Sequence, residues 1–180
     1  MPDPQSIALV GLSGVGKSSA GRLIAARLGW PLLDTDALIT EAVGRTVAQI
    51  FADSGEPRFR DLESAALQRA FSITPCVVST GGGIVLRSEN RALLRSHAFV
   101  VWLDAPTGTL VARLRAHDEA RPLIGGADPA ARLEALRAAR GGLYAEVAHA
   151  RVDAAGYGVE EICARVLQLF ARATGEHRSS

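Results

Sequence analysis

The run Ile7-Ala8-Leu9-Val10 leads directly into Gly11-Leu12-Ser13-Gly14-Val15-Gly16-Lys17-Ser18-Ser19, and a helical apolar pattern follows over 17–28. A short apolar run reads as a buried strand, the glycines supply backbone that can turn back on itself, and the periodic stretch reads as a helix. The chain is therefore committed from its start to a strand, a tight loop and a helix in that order. Gly11, Gly16, Lys17 and Ser18 match the pattern G-x-x-x-x-G-K-[ST] in the setting that pattern requires. Successive N–H groups of such a loop curl around a phosphate, and the helix start directs its positive end at the anion. Lys17 reaches the β and γ oxygens, and the Ser18 hydroxyl is a magnesium ligand. A plain glycine-rich turn is the competing reading, but it leaves the strand before and the helix after without a reason.

Lys17 is the sole lysine in the chain, beside nineteen arginines. A preference for arginine codons accounts for the nineteen and not for the exception. A compact ammonium fits among tightly wrapped phosphates where a larger, forked guanidinium fits badly.

Further along, short apolar runs alternate with amphipathic helical stretches, the pattern of an α/β fold with a parallel sheet covered on both faces. Strands are expected over 7–10, 31–34, 76–80, 98–103 and near 151–153. Helices are expected over 17–28, 36–43, 47–53, 58–71, 89–95, 107–116, 129–148 and 159–173. Thr46-Val47-Ala48-Gln49 has capping-box spacing, Ser88 precedes a helical run, and Gly29 and Gly44 stand where a left-handed C-terminal residue is wanted. At 180 residues with 48% hydrophobic and 22% charged side chains, one well-buried domain is expected over residues 1–174, with a flexible tail at 175–180.

A net charge of +1 supplies no footprint for nucleic acid or a membrane surface, so small-molecule chemistry is the default. The opening Met-Pro-Asp-Pro-Gln-Ser lacks the features of a secretory leader, and no run approaches the roughly 20 apolar residues of a membrane span, so a cytoplasmic location is expected. Cys76 and Cys163 read as buried hydrophobes rather than a disulfide. His97, His117, His149 and His177 have no metal-ligand spacing, and Trp30 and Trp102 read as packing residues.

Other segments carry chemistry only in combination. Leu33-Asp34-Thr35-Asp36 closes the second strand, and alternation puts both carboxylates on one side if the strand persists. One would hold magnesium through water and the other accept the proton of an attacking hydroxyl; Asp36 as a mere helix cap is equally open. Gly81-Gly82-Gly83 after the third strand allows close approach of a ligand, or is only a flexible turn. Arg60 and Glu63 lie one helical step apart, so Glu63 can fix the guanidinium for a planar anion, or the two form a solvated pair. The segment 119–126 is polar, then glycine-rich, and carries Arg121 between two long helices. It reads as a mobile lid over about 116–128 that excludes water.

As a set these segments resemble the shikimate kinases, over about residues 7–153 and in the family's order. The phosphate loop, Asp34-Thr35-Asp36, Phe59-Arg60 with Glu63, Gly81 to Gly83, Arg121-Pro122-Leu123 and Arg140-Gly141-Gly142-Leu143-Tyr144 carry the resemblance. It implies a three-layer P-loop kinase fold of the nucleoside-monophosphate-kinase type with five parallel strands. The implied activity is transfer of the γ-phosphoryl group of ATP to the 3-hydroxyl of shikimate, a step of aromatic amino-acid biosynthesis, in a monomer using ATP and Mg²⁺.

Carried over residue by residue, it implies ATP contacts at Gly14, Val15, Gly16, Lys17, Ser18 and Ser19, with Asp34 in the outer shell of the magnesium. Asp36 would orient the attacking hydroxyl, as base or as orienting group alone. Arg60 and Arg140 would hold the shikimate carboxylate, and Gly81, Gly82 and Gly83 the ring hydroxyls. Arg121 would stabilise charge on the transferred group. Arg115 is the expected adenine contact, with Arg113 as the alternative. Arg132 and Arg137 are read as a solvated helix face opposite Leu133, Leu136 and Leu143.

Ser19 departs from the threonine common in the family, and Pro57-Arg58 add bulk and charge before Phe59. Another metabolite kinase would lack the full combination, and a sensor module would have no need to keep Lys17, Asp36, Arg60 and Arg121 together. A GTPase needs an Asn-Lys-x-Asp element that the single lysine rules out.

Overall fold

The computed structural model describes residues 5–116 and 128–175. Five parallel strands form one sheet in the order β2-β3-β1-β4-β5. They are β1 (Ser6–Val10), β2 (Leu32–Asp34), β3 (Val77–Ser79), β4 (Ala98–Asp104) and β5 (Ala150–Asp153). The central place of β1 follows from its composition: Ile7, Ala8, Leu9 and Val10 have no exposed surface, whereas the edge strand β2 is only half-buried. The helices are α1 (Lys17–Leu28), α2 (Thr35–Val43), α3 (Val47–Phe71), α4 (Ser88–His97), α5 (Thr107–Ala116), α6 (Pro129–Val147) and α7 (Val159–Thr174). A 3₁₀ turn, Ile84–Leu86, is not signalled by the sequence pattern.

Two aromatic residues of β4 show how the layers are built. Phe99 meets Phe170 of α7, with ring centroids 5.8 Å apart, and Trp102 meets Tyr144 of α6, also at 5.8 Å. An odd spacing along a strand sends side chains to opposite faces, so α7 covers one face and α6 the other. α1 packs beside α7, and α4 beside α6. Trp30 stacks edge-on against Phe170, and His97 and His149 lie on Phe71 and Phe99, as packing residues. Both cysteines are buried and free. No helix among the described residues is long and apolar enough to cross a membrane.

The ends of the helices follow the local rules. Thr46 and Gln49 form the capping box, and Gly29 and Gly44 adopt left-handed conformations at the ends of α1 and α2. The two helices expected over 47–53 and 58–71 are both present and follow end to end as α3, separated by a kink at Gly55, whose φ of 75° and ψ of 174° interrupt the helical ladder before Pro57. This broken helix and α2 enclose a small core of their own, Ile39, Ile50, Phe59 and Ala66. The second strand ends at Asp34 rather than continuing to Asp36, because the Asp34 carboxylate accepts from the N–H groups of Asp36 and Ala37 and starts α2. Asp34, not Asp36, is therefore the cap. α4 begins at Ser88 itself, after Arg87.

Gly11 shows how tightly the phosphate loop is set into the sheet. Its φ is +140°, and a Cβ there would run into the Leu103 carbonyl oxygen of β4. Gly29, also at positive φ, has open space around it. Gly29→Ala is expected to cost about 1 kcal/mol of stability from backbone strain alone. Gly11→Ala adds a collision with backbone and is expected to cost at least about twice that. Urea denaturation of the two variants measures the difference, and equal losses would show that β4 does not press on the loop.

Candidate active site

In a parallel sheet the loops after the strands gather at one end, and here those after β1, β2 and β3 meet. Gly14 and Gly16 have φ of 82° and 98°, backbone that bends the loop so that Gly16 caps α1 without a side chain. The first turn of α1 is thereby left open to an anion. Lys17 is buried, and its Nζ donates to the carbonyls of Gly11 and Leu12 at 2.8 and 2.9 Å, spanning the loop from within. The Ser18 hydroxyl donates to Asp34 Oδ2 at 2.8 Å and lies 3.2 Å from the Ser79 hydroxyl. These are oxygen donors on the floor of an open space, the set that suits a hard divalent cation.

That space, about 1470 Å³ with the solvent at its open side included, is lined by the loop 13–19 together with Asp34, Asp36, Arg113 and Tyr157. Arg113, not the exposed Arg115, lies along it. The Arg113 guanidinium donates to Val15 O at 3.1 Å and Ala154 O at 2.8 Å, which holds it as a flat plate between two loops. Tyr157, which sequence reasoning did not single out, also lines this space, and the Arg165 guanidinium stacks 4.1 Å from its ring centroid.

A second, smaller space of about 490 Å³ is lined by Leu12, Ser13, Asp36, Phe51, Phe59, Arg60, Glu63, Gly81 to Gly83, Leu136 and Arg140. Asp36 and Ser13 border both spaces. Arg60 is buried, and its guanidinium donates to Glu63 and, from Nε and Nη2, to Glu56 Oε1 at 3.1 and 2.6 Å. The pair with Glu63 was legible from spacing, but the grip of Glu56 was not. Burial works against the Arg60 charge, and the two carboxylates outweigh it, so its pKa stands above the ordinary arginine value. Burial raises the Glu63 carboxyl above the usual range against the pull of Arg60, and the nearby Asp36 raises it further. Glu63 Oε1 is buried with no hydrogen-bond partner among the described residues.

This crowding leaves no room for a side chain at two of the three glycines. A Cβ on Gly81 would lie 2.7 Å from Glu63 Oε1 and 2.8 Å from Asp36 Oδ1, and one on Gly83 would fall well inside contact with the Arg60 guanidinium. The loop is tied down by Gly81 N donating to the Thr35 hydroxyl at 2.9 Å. From the other side, Arg140 Nη1 and the Tyr144 hydroxyl both donate to Gly82 O, at 3.1 and 2.5 Å. Burial pushes the Tyr144 phenol up to about 12, so it remains a donor at neutral pH. Arg121 lies outside the described residues.

The expected groups, apart from Arg115 and Arg121, therefore stand around two adjoining spaces. One is walled by the phosphate loop with Lys17 and Ser18, the other by Asp36, Glu63 and the guanidinium groups of Arg60 and Arg140. The shikimate kinase family model matches residues 13–171. A shikimate kinase from Symbiobacterium thermophilum is 47% identical over 164 residues, 91% of this chain and 94% of that protein. Among solved structures, a shikimate kinase from Acinetobacter baumannii in complex with shikimate superposes with a TM-score of 0.91 at 32% identity, covering 98% of this chain and 96% of that one. A gluconokinase from Sinorhizobium meliloti, 24% identical with a TM-score of 0.63 over 98% of this chain and 97% of that one, shares the fold alone. The chain belongs to the shikimate kinase family and is an ATP-dependent kinase.

Proposed function

We propose that this chain transfers the γ-phosphoryl group of ATP to the 3-hydroxyl of shikimate, giving shikimate 3-phosphate and ADP. The observation that carries this reading is that Asp36 borders both spaces, so an acceptor in the smaller one has its hydroxyl beside the carboxylate and facing the phosphate loop. Arg60 and Arg140 hold the planar carboxylate of the acceptor. Forked guanidinium groups match that anion bidentately, and the carboxylates around Arg60 fix its orientation before the ligand arrives. Phe51 and Phe59 pack along the apolar edge of the ring. Gly81 to Gly83 present bare backbone to its hydroxyls.

The acceptor oxygen attacks the γ-phosphorus, its proton passes to Asp36, and the bond from the γ-phosphorus to the bridging oxygen of ADP breaks. Lys17 leaves the Gly11 and Leu12 carbonyls for the phosphoryl oxygens, neutralising charge as it moves to the transferred group. Ser18 and Asp34 would hold Mg²⁺, directly and through water, and bound there the ion supplies charge neutralisation on the phosphates. Arg113 and Tyr157 border the adenine. Arg121 completes the set on the strength of the sequence resemblance.

A coupled ADP-release assay offering shikimate, quinate, gluconate and nucleoside monophosphates separately tests the assignment. Turnover is expected with shikimate, dependent on magnesium, and reduced by about 10³-fold or more in Lys17→Ala and Asp36→Asn. Turnover with gluconate or a nucleotide and none with shikimate would overturn it.

Gly83→Ala displaces the Arg60 guanidinium without touching the phosphate loop. Its KM for shikimate is expected to rise about tenfold or more while its KM for ATP stays near the parent value. A change confined to the ATP constant would place Arg60 outside the acceptor site.

A further inference from the structure

Asp104, the last residue of β4, is buried and lines neither of the two spaces. Its Oδ1 accepts from Arg137 Nη1 at 2.8 Å and from Ala105 N at 3.0 Å, and its Oδ2 accepts from Arg151 Nη2 at 2.6 Å. The remaining arm of Arg137 donates to the Ala105 carbonyl. One guanidinium thus grips both a side chain and the backbone at the end of β4.

Arg137, Arg140 and Tyr144 follow one another at spacings of three and four on α6, so they lie along one face of the helix. Arg137 fastens that face to the end of β4, and Tyr144 fastens it to the Gly82 carbonyl. Arg140 stands between the two fastenings. The apolar contacts of Leu133, Leu136 and Leu143 bury α6, but such contacts are non-directional and tolerate a small slide or roll of the helix. A forked, charge-assisted grip does not.

We propose that Asp104 and Arg137 are positioning residues for the acceptor. Their ion pair sets the seat of α6 on the end of β4, and with it the reach of Arg140 into the smaller space. This rests on the reading of Arg140 as a ligand of the acceptor carboxylate. The backbone of Asp104 serves the other side of the reaction, since its carbonyl accepts from Ala154 N at 2.7 Å, beside the carbonyl that holds Arg113. Changing only the side chains of the pair should therefore disturb the acceptor and spare the nucleotide. The fold should survive as well, because Asp104 keeps Arg151 when Arg137 is lost, and the side chain of Arg137 is 27% exposed.

Steady-state kinetics of the full chain, varying shikimate at saturating MgATP and the reverse, test the proposal alongside thermal melting. Arg137→Gln and the isosteric Asp104→Asn are each expected to raise the KM for shikimate about tenfold and to move the KM for ATP about twofold or less. The double variant should be no worse than the weaker of the two, because both changes break one interaction. Arg140→Lys serves as the reference and should raise the shikimate KM at least as far. If Arg140→Lys has its effect but the two pair variants leave the shikimate constant unchanged, move both constants equally or combine additively, the positioning role is overturned. If Arg140→Lys leaves that constant unchanged, Arg140 does not hold the acceptor, and the reading beneath this inference falls with it.

Discussion

The Asp34 carboxylate has two oxygens with two separate tasks, and the active site is arranged around that division. One oxygen caps α2, and the other receives the Ser18 hydroxyl from the first turn of α1. The start of the acceptor-side helix is thereby tied to the phosphate loop. Asp36, in the first turn of α2, has no freedom to stand elsewhere than beside that loop. Had the strand continued for two more residues, Asp36 would be an ordinary strand residue with its position set by the sheet. The early start of α2 brings it to the boundary between the two spaces instead.

From this point outward, each group that meets a charge is held by another before any ligand binds. Glu56 and Glu63 orient Arg60, Val15 and Ala154 orient Arg113, and Gly82 receives both Arg140 and Tyr144. Preorganised charge of this kind lowers the reorganisation needed in the transition state, and phosphoryl transfer relies on positioning and electrostatics more than on covalent chemistry. The glycines of the third loop are the counterpart of this crowding, since side chains at Gly81 or Gly83 would occupy the volume of the acidic and basic groups around them.

Much of this was legible in the sequence where the signal is local. The phosphate loop, the capping box at Thr46, the left-handed Gly29 and Gly44 and the burial of Leu133 all follow from a few neighbouring residues. The Arg60–Glu63 pair was legible for the same reason, being one helical step apart. Asp34 and Asp36 both line the larger space, as alternation suggested, but a side-chain cap at Asp34 brings them there in place of a continued strand. Glu56 stands four residues before Arg60, a helical spacing, but the second helix was expected to begin only at 58, so its pairing was not read. Arg113 and Arg115 could not be told apart without knowing which face of α5 meets the loops. The grip of Arg137 on Asp104, and of Tyr144 on Gly82, joins residues far apart in the chain, and spacing contains no trace of such pairs.

In the proposed reaction, a carboxylate at the meeting point of two spaces faces both substrates at once. A crystal structure of the Asp36→Asn protein with shikimate, Mg²⁺ and a non-hydrolysable ATP analogue examines it most directly. The result expected is a ring hydroxyl within hydrogen-bond distance of residue 36 and in line with the γ-phosphorus, with the ring carboxylate between Arg60 and Arg140. The two ligands lodged apart, or the ring carboxylate turned away from both arginines, would contradict it.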